Sequence, residues 1–307
     1  MIRLVIINPF AGNARGLKHK KTVEKVFSNI KKEELLGEDK VIIEITKHRG
    51  HATEIAKEYI TKYNNEKIVI YIISGDGTIS EVAKVAINND NVSIVIIPKG
   101  TGNDFARAVT SSKSIRKIIR ESINNYPTKV DCIKVNDKVS VNVVNAGLDA
   151  AIADNIKYFR KIPFLTGKMK FNLSILVTIF SPRKYKFKIR IDDKVYKGKY
   201  TLVAIGNNKY YGGGIIALPK ANIQDGLLDL CVVKNTTILH KIYFLPKFKE
   251  GKHENIWLVN MAKAKSVTVV SNKKFPVSID GETYNIKGFK AKVIENGLNV
   301  IKTLDKM

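Results

Sequence analysis

Four short runs of branched and aliphatic residues recur through the first hundred positions: IRLVIIN (2–8), KVIIEIT (40–46), KIVIYIIS (67–74) and VSIVIIP (92–98). Each is apolar on both faces, and a strand of that kind needs cover above and below. The segments between them supply it. Val23, Val26, Phe27 and Ile30 fall at the i, i+3, i+4, i+7 spacing of one helical face, as do Ala52, Ile55, Ala56 and Tyr59, and then Ile79, Val82, Ala83 and Ala86. A further helix is expected from near Asn103. Strand and helix in strict alternation predict a three-layer α/β domain: a parallel sheet with helices on both sides.

After about residue 128 the texture changes. Short β-like runs follow one another: KVDCIKV, KVSVNVVNAG, KYKFKIRI, KYTLVAIGNN, GLLDLCVVK, SVTVVS and FPVSIDG. KYKFKIRI alternates cations with apolar residues, the mark of a half-exposed strand. Turn residues separate the runs, so an antiparallel β-sandwich is expected, interrupted by helices near 150–180 and 236–248. The expected division is an α/β domain over 1–128 and a sandwich over 129–289.

Composition narrows the class. With 44% apolar residues in 307, the chain can build real cores. Cys132 and Cys231 are far apart and show no metal-ligand spacing. No leader pattern is visible, and the apolar run FNLSILVTIF (171–180) is too short to span a bilayer. A cytoplasmic protein is expected. Lys plus Arg is 53 against 28 Asp plus Glu, a net charge of +25 that attracts polyanions or anionic lipid surfaces. The lysines spread along the whole chain, so charge alone does not choose between a partner and a solvated surface. No aromatic platform or helix-turn-helix pattern supports nucleic acid as that partner.

Ligands of open parallel sheets bind beyond the carboxyl ends of the strands. Three of the four strands end there in conspicuous loops: NPFAG (Asn8, Pro9 to Gly12), SGDGT (Ser74, Gly75, Asp76, Gly77, Thr78) and PKGTGND (Pro98, Lys99, Gly100, Thr101, Gly102, Asn103, Asp104). Glycines bring backbone N–H groups close to phosphate, and a following helix adds its dipole. Asp76 is placed to reach a magnesium ion, and Thr78, Thr101 and Asn103 to donate to phosphate oxygens. One such loop would be an ordinary capped turn; three on one sheet edge read as a nucleotide site. Neither G-x-x-x-x-G-K-[ST] nor G-x-G-x-x-G is present.

NPFAG, SGDGT with Glu81 behind it, and PKGTGNDFAR, in this order and spacing, resemble the catalytic motifs of the diacylglycerol kinase and sphingosine kinase superfamily, especially its bacterial lipid kinases. NAGLDA (145–150), NNKYYGGGIIALPKANIQDGLLDL (207–230) and SIDGETY (278–284) extend the resemblance over nearly the whole chain. Ser74 departs from it, because bacterial members usually carry glycine there. The resemblance implies an ATP-binding α/β domain like that of NAD kinases and phosphofructokinases, a C-terminal β-sandwich, an active site between them, and a tail (about 290–307) that returns to the first domain. It assigns Asn8, Pro9, Gly12, Thr46, Gly75 to Glu81, and Gly100 to Asn103 to ATP. It assigns Asp225 with the carbonyls of Asn222 and Leu227 to a structural Mg²⁺ loop, and Asp280 and Glu282 to catalysis.

That last pair suits phosphoryl transfer, which needs a carboxylate to take the hydroxyl proton. If both lie on an extended strand, i and i+2 face the same way. Asp-Gly is equally the commonest hairpin turn dipeptide. The function expected is an ATP- and Mg²⁺-dependent lipid kinase acting on diacylglycerol. The alternatives are a sphingoid base, ceramide, undecaprenol, or a soluble acceptor such as NAD or a sugar. KYFRKIPFLTGKMKF (157–171) mixes cations with aromatics and is the expected contact with anionic phospholipid at a membrane surface; an ordinary core helix with a lysine face would read the same way. An edge strand of the second domain offers a homodimer contact.

Overall fold

The computed structural model describes residues 1–11, 16–159, 162, 167–180 and 184–305. The chain divides into two compact units, Met1–Val130 with Asn296–Met307, and Asp131–Glu295.

The first unit runs β1 (Ile2–Ile7), α1 (Gly16–Lys32), β2 (Lys40–Ile45), α2 (His51–Lys62), β3 (Ile68–Ser74), α3 (Asp76–Ala86), β4 (Val92–Pro98), a 3₁₀ turn (Phe105–Ala108) and α4 (Ile115–Asn124). Its strands are parallel in the order β4-β3-β1-β2. β1, β3 and β4 are buried throughout and β2, at the edge, is half-buried. The i, i+3, i+4, i+7 residues of α1 and α3 are all buried, as are Ala52, Ile55 and Ala56 of α2. The end of the chain adds one more parallel strand: Asn299 lies opposite Ser93 and Val300 opposite Ile94. A bridge from Thr303 to Thr110 follows.

One expected element is different. No α-helix starts at Asn103. Asn103 sits in the left-handed region at φ 53°, which breaks a right-handed helix at its first residue. Only the four-residue 3₁₀ turn follows, and α4 waits for the Ser114 cap, whose hydroxyl accepts the Lys117 N–H. The fourth loop therefore has no α-helix directly behind it.

The second unit is β-rich. It contains β5 (Pro127–Val135), β6 (Lys138–Ser140), β7 (Val143–Gly147), α5 (Leu148–Phe159), α6 (Gly167–Ile179), β8 (Tyr185–Ile191), β9 (Lys194–Gly206), β10 (Tyr210–Tyr211), β11 (Ile215–Ile216), β12 (Leu228–Lys234), α7 (Ile238–Lys249), β13 (Val259–Ala264), β14 (Ser266–Ile279) and β15 (Glu282–Ile301). β5 begins and β15 ends in residues of the first unit. The long strands β9 and β14 pair with β8 through one half and with β7 through the other. Two partners on two halves fold the sheet around one core, in which Phe187, Val203, Leu230, Phe275 and Val277 are buried together. A second core lies under α5, α6 and α7, formed by Leu148, Ile152, Ile175, Leu202, Phe244 and Phe248. The helical segments expected near 150–180 and 236–248 are α5, α6 and α7.

Candidate active site

In the first unit, two of the three loops are locked to each other by backbone. A Cβ on Gly100 would stand 2.4 Å from the Gly75 Cα, and one on Gly75 2.9 Å from the Gly100 Cα. No side chain fits between them. The Lys99 N–H donates to the Ser74 carbonyl at 2.8 Å, continuing the β3–β4 ladder into the loops. The first loop joins through side chains: the Asn8 amide donates to Thr78 Oγ1 at 3.1 Å, and Ser74 Oγ donates to the same oxygen at 2.7 Å. Ser74 thus supports Thr78. Thr46 is buried at the end of β2, its N–H on the Ile7 carbonyl at 2.9 Å. Pro9 is half-buried, Gly77 and Thr101 are exposed, and Gly102 is half-buried. Gly12 lies outside the described residues.

Two assigned residues already have local work. Asn103 accepts from the Gly100 N–H at 2.8 Å and donates back to the Gly100 carbonyl at 2.8 Å, which closes the fourth loop on itself. Glu81 accepts the Gly50 N–H at 3.0 Å through Oε1, while its carbonyl takes the Thr53 hydroxyl at 3.0 Å. It ties the start of α2 to α3.

Asp76 accepts the Phe105 N–H at 3.2 Å. Burial raises its carboxyl to about 6; the Asp104 charge adds to the rise, and the backbone N–H groups of Phe105, Asp104 and Asn103 oppose it. Asp104 is itself buried, with the Arg107 Nε 3.9 Å away. The sequence reading missed Asp104 as a site residue. It is the last letter of GTGND, and an aspartate there reads as a helix cap. Two neighbouring carboxylates fit a hard divalent cation.

In the second unit, Asp280 and Gly281 form the two-residue turn between β14 and β15, with φ 46° and 86° and Ile279 opposite Glu282. Positive φ at both positions is the type I′ hairpin. Asp280 is therefore not on an extended strand with Glu282, and the expectation that i and i+2 face alike there is corrected. Its carboxylate is surrounded by donors. Ser140 Oγ (2.6 Å) and the N–H groups of Asn142 (3.1 Å) and Val143 (3.1 Å) reach Oδ1, and the Val141 N–H (2.9 Å) reaches Oδ2. The turn thereby pins the β6–β7 connection. Glu282 is half-buried and accepts the Tyr284 hydroxyl at 2.8 Å.

The 222–227 loop is organised by its own side chains. Asn222 accepts the Gln224 N–H at 3.1 Å, Asp225 accepts the Leu227 N–H at 3.1 Å, and Asp131 accepts the Gly226 N–H at 2.7 Å. A cation is present: the Lys263 ammonium lies 2.5 Å from Asp225 Oδ2, 3.3 Å from Asp229 Oδ2 and 3.4 Å from the Lys220 carbonyl. Burial opposes its charge, and the Asp225 and Asp229 carboxylates outweigh burial and hold its pKa above the ordinary lysine value. These oxygens fit a divalent ion chemically, but Lys263 and that ion would compete for the same carboxylate.

The family models match on both sides of this boundary. Residues 3–135 match the diacylglycerol kinase catalytic domain. Residues 142–302, more than half of the chain, match the YegS C-terminal NAD kinase beta sandwich-like domain. The chain belongs to the diacylglycerol kinase-like family of lipid kinases. "Putative lipid kinase SAS0691" of Staphylococcus aureus (strain MSSA476) is 27% identical over 267 residues, 86% of this chain and 87% of that one. The crystal structure of "a putative diacylglycerol kinase from Bacillus anthracis str. Sterne" superposes with a TM-score of 0.78 at 24% identity, covering 98% of this chain and 96% of its own. Yeast NADH kinase complexed with NADH gives a TM-score of 0.50 at 11% identity over 99% of this chain and 84% of its own. Both structural likenesses concern the fold. This family member has no helix, among the described residues, long and apolar enough to cross a membrane.

Proposed function

We propose that this lipid kinase transfers the γ-phosphate of ATP to the free hydroxyl of diacylglycerol, giving phosphatidic acid. The observation that carries the ATP reading is the backbone contact between Gly75 and Gly100, with Thr78 anchored by Asn8 and Ser74 beside it. It leaves a side-chain-free loop pair at the carboxyl edge of a parallel sheet, the surface that phosphate needs. Asp76 and Asp104 are the residues that would hold the Mg²⁺ that comes with ATP, which would supply neutralisation of the charge on the transferring phosphate.

Of the two acidic residues around Gly281, Glu282 is the base and Asp280 positions it. The Asp280 carboxylate already accepts four hydrogen bonds, so its oxygens are occupied by donors of its own unit. Glu282 takes the hydroxyl proton as the acceptor oxygen bonds to the γ-phosphorus and the bond from that phosphorus to the β-bridging oxygen breaks. Membrane association at an anionic surface follows from the acceptor: a diacylglycerol stays in the bilayer, and this chain carries a net charge of +25.

The test is transfer of label from ATP, with Mg²⁺, into a total lipid extract in mixed micelles. The expected product co-migrates with phosphatidic acid. Glu282→Gln should lower turnover about 10²–10⁴-fold with an unchanged melting temperature. Asp280→Asn keeps the turn but aims an N–H₂ at N–H donors, and should lower stability by about 1–3 kcal/mol. A folded Asp280→Asn protein without turnover would move the base to Asp280. Label found only in a water-soluble product would remove the lipid acceptor.

A further inference from the structure

Helix α7, ILHKIYFLPKFK, is apolar on both sides. Phe244 and Phe248 face inward and, with Leu148, Ile175 and Val233, line a small cavity of about 30 Å³ that Asp149 and Lys241 also border. The opposite side is bare. Leu239 is 78% exposed, Tyr243 59% and Ile242 50%. Trp257, 74% exposed, stands beside them, its ring 6.0 Å from His240 in an edge-to-face arrangement. A helix apolar all round is expected to be covered all round, and contiguous exposed apolar surface marks an interaction site.

The charges around this face select its partner. Neither α7 nor α6, which packs beside it, contains a single Asp or Glu. Lys247 lies over the Tyr243 ring at 4.1 Å, one turn along the bare face. α6 adds Leu176 and Val177, and Phe180 follows it, each about half exposed. A second copy of this chain would bring its own lysines against these. Trp and Tyr beside lysine, over an apolar ridge with no acid, is the side-chain set that settles at the headgroup level of an anionic bilayer. We infer that the outer face of α7 with Trp257 is the surface by which this protein docks on anionic lipid. The inference rests on the lipid-kinase reading only for its motive, since the surface is defined without the kinase site.

Trp257 is the chain's one tryptophan, so its emission reports on this face alone. The full-length protein, without ATP, is titrated with vesicles of phosphatidylcholine containing phosphatidylglycerol and no diacylglycerol, and with phosphatidylcholine alone. Expected are a blue shift, quenching by brominated acyl chains, and partitioning to the anionic vesicles that falls as salt rises. The double variant Leu239→Ser with Tyr243→Ser removes two exposed side chains and no core contact. It should weaken partitioning about tenfold or more and leave phosphorylation of a monomeric short-chain acceptor unchanged. Three results would overturn the inference: vesicle binding with Trp257 emission unmoved, equal binding by the double variant, or a concentration-dependent dimer that the double variant abolishes. Vesicle binding in a protein with no kinase activity would break the kinase reading and leave the surface standing.

Discussion

The two units build their polar sites from different materials. In the first, the loop surface is largely backbone: Gly75 and Gly100 meet with no room for a side chain between them, Asn103 is spent on its own loop, and the short side chains of Thr78, Ser74 and Asn8 enter beside the Asp76 and Asp104 carboxylates. In the second, it is charge held by partners distant in sequence: Asp280 by Ser140 and three N–H groups, Asp225 and Asp229 by Lys263, Asp149 by the Tyr211 hydroxyl. A backbone site is intolerant of any added atom. A charge site tolerates shape and fails when one partner leaves. The contrast makes distinct demands on mutation and pH.

The sharpest break should come from Gly100→Ala. Its Cβ meets backbone that has no rotamer to yield, so the loop pair must separate at a cost of about 1–3 kcal/mol. A displaced phosphate surface should lower turnover about 100-fold, and a nucleotide titration should show the loss. Gly77→Ala, which meets nothing within 4 Å, is the control and should bind ATP normally. Equal behaviour of the two variants would remove the Gly75–Gly100 contact from the site.

Asp149 gives the second unit a pH signature of its own, beside that of the equally raised Asp76 in the first. Burial raises its carboxyl to about 6, with the Tyr211 hydrogen bond opposing. The unfolded chain returns it to about 3.9. A raised carboxylate binds its proton more tightly when folded, so its contribution is full below the unfolded value and is lost as pH rises through 6. The swing is at most about 3 kcal/mol. The melting-temperature difference between Asp149→Asn and wild type should therefore move in favour of the variant from pH 4 to pH 7. A constant difference would show that Asp149 ionises freely in the folded protein.

The smallest effect is the most specific. Lys263→Met leaves Asp225 and Asp229 without their cation, and should lower stability by about 1–2 kcal/mol after allowance for exposure. Added Mg²⁺ or Ca²⁺ should restore much of that to the variant and do little to the wild type. A wild-type melting temperature raised as strongly by Mg²⁺ would mean that the ion displaces Lys263.

Much of the fold was legible. The i, i+3, i+4, i+7 sets of α1 and α3 and the both-face apolar strands carry their burial in local order. The fourth-loop helix was not legible, because the left-handed Asn103 is set by its closure on Gly100 rather than by propensity. At the site, the loops were visible but the commitments were not. Asp104 was not singled out, and Asp280 stood open between an extended strand and the Asp-Gly turn that it forms. The basic–aromatic segment 157–171 falls partly on 160–161 and 163–166, outside the described residues. Trp257, which carried no motif, emerged only once its neighbours on α7 were known.

By itself the sequence determined what repeats at short range: hydrophobic period, glycine punctuation and the order of the glycine-rich loops. These are one- to seven-residue relations, and burial follows from them directly. The tertiary structure decided which polar atoms are already occupied. Ser140 reaches Asp280 across 140 positions, and Lys263 reaches Asp225 across 38. A carboxylate can serve as base, anchor or metal ligand according to the donors around it. Those donors arrive from parts of the chain that only the fold brings near.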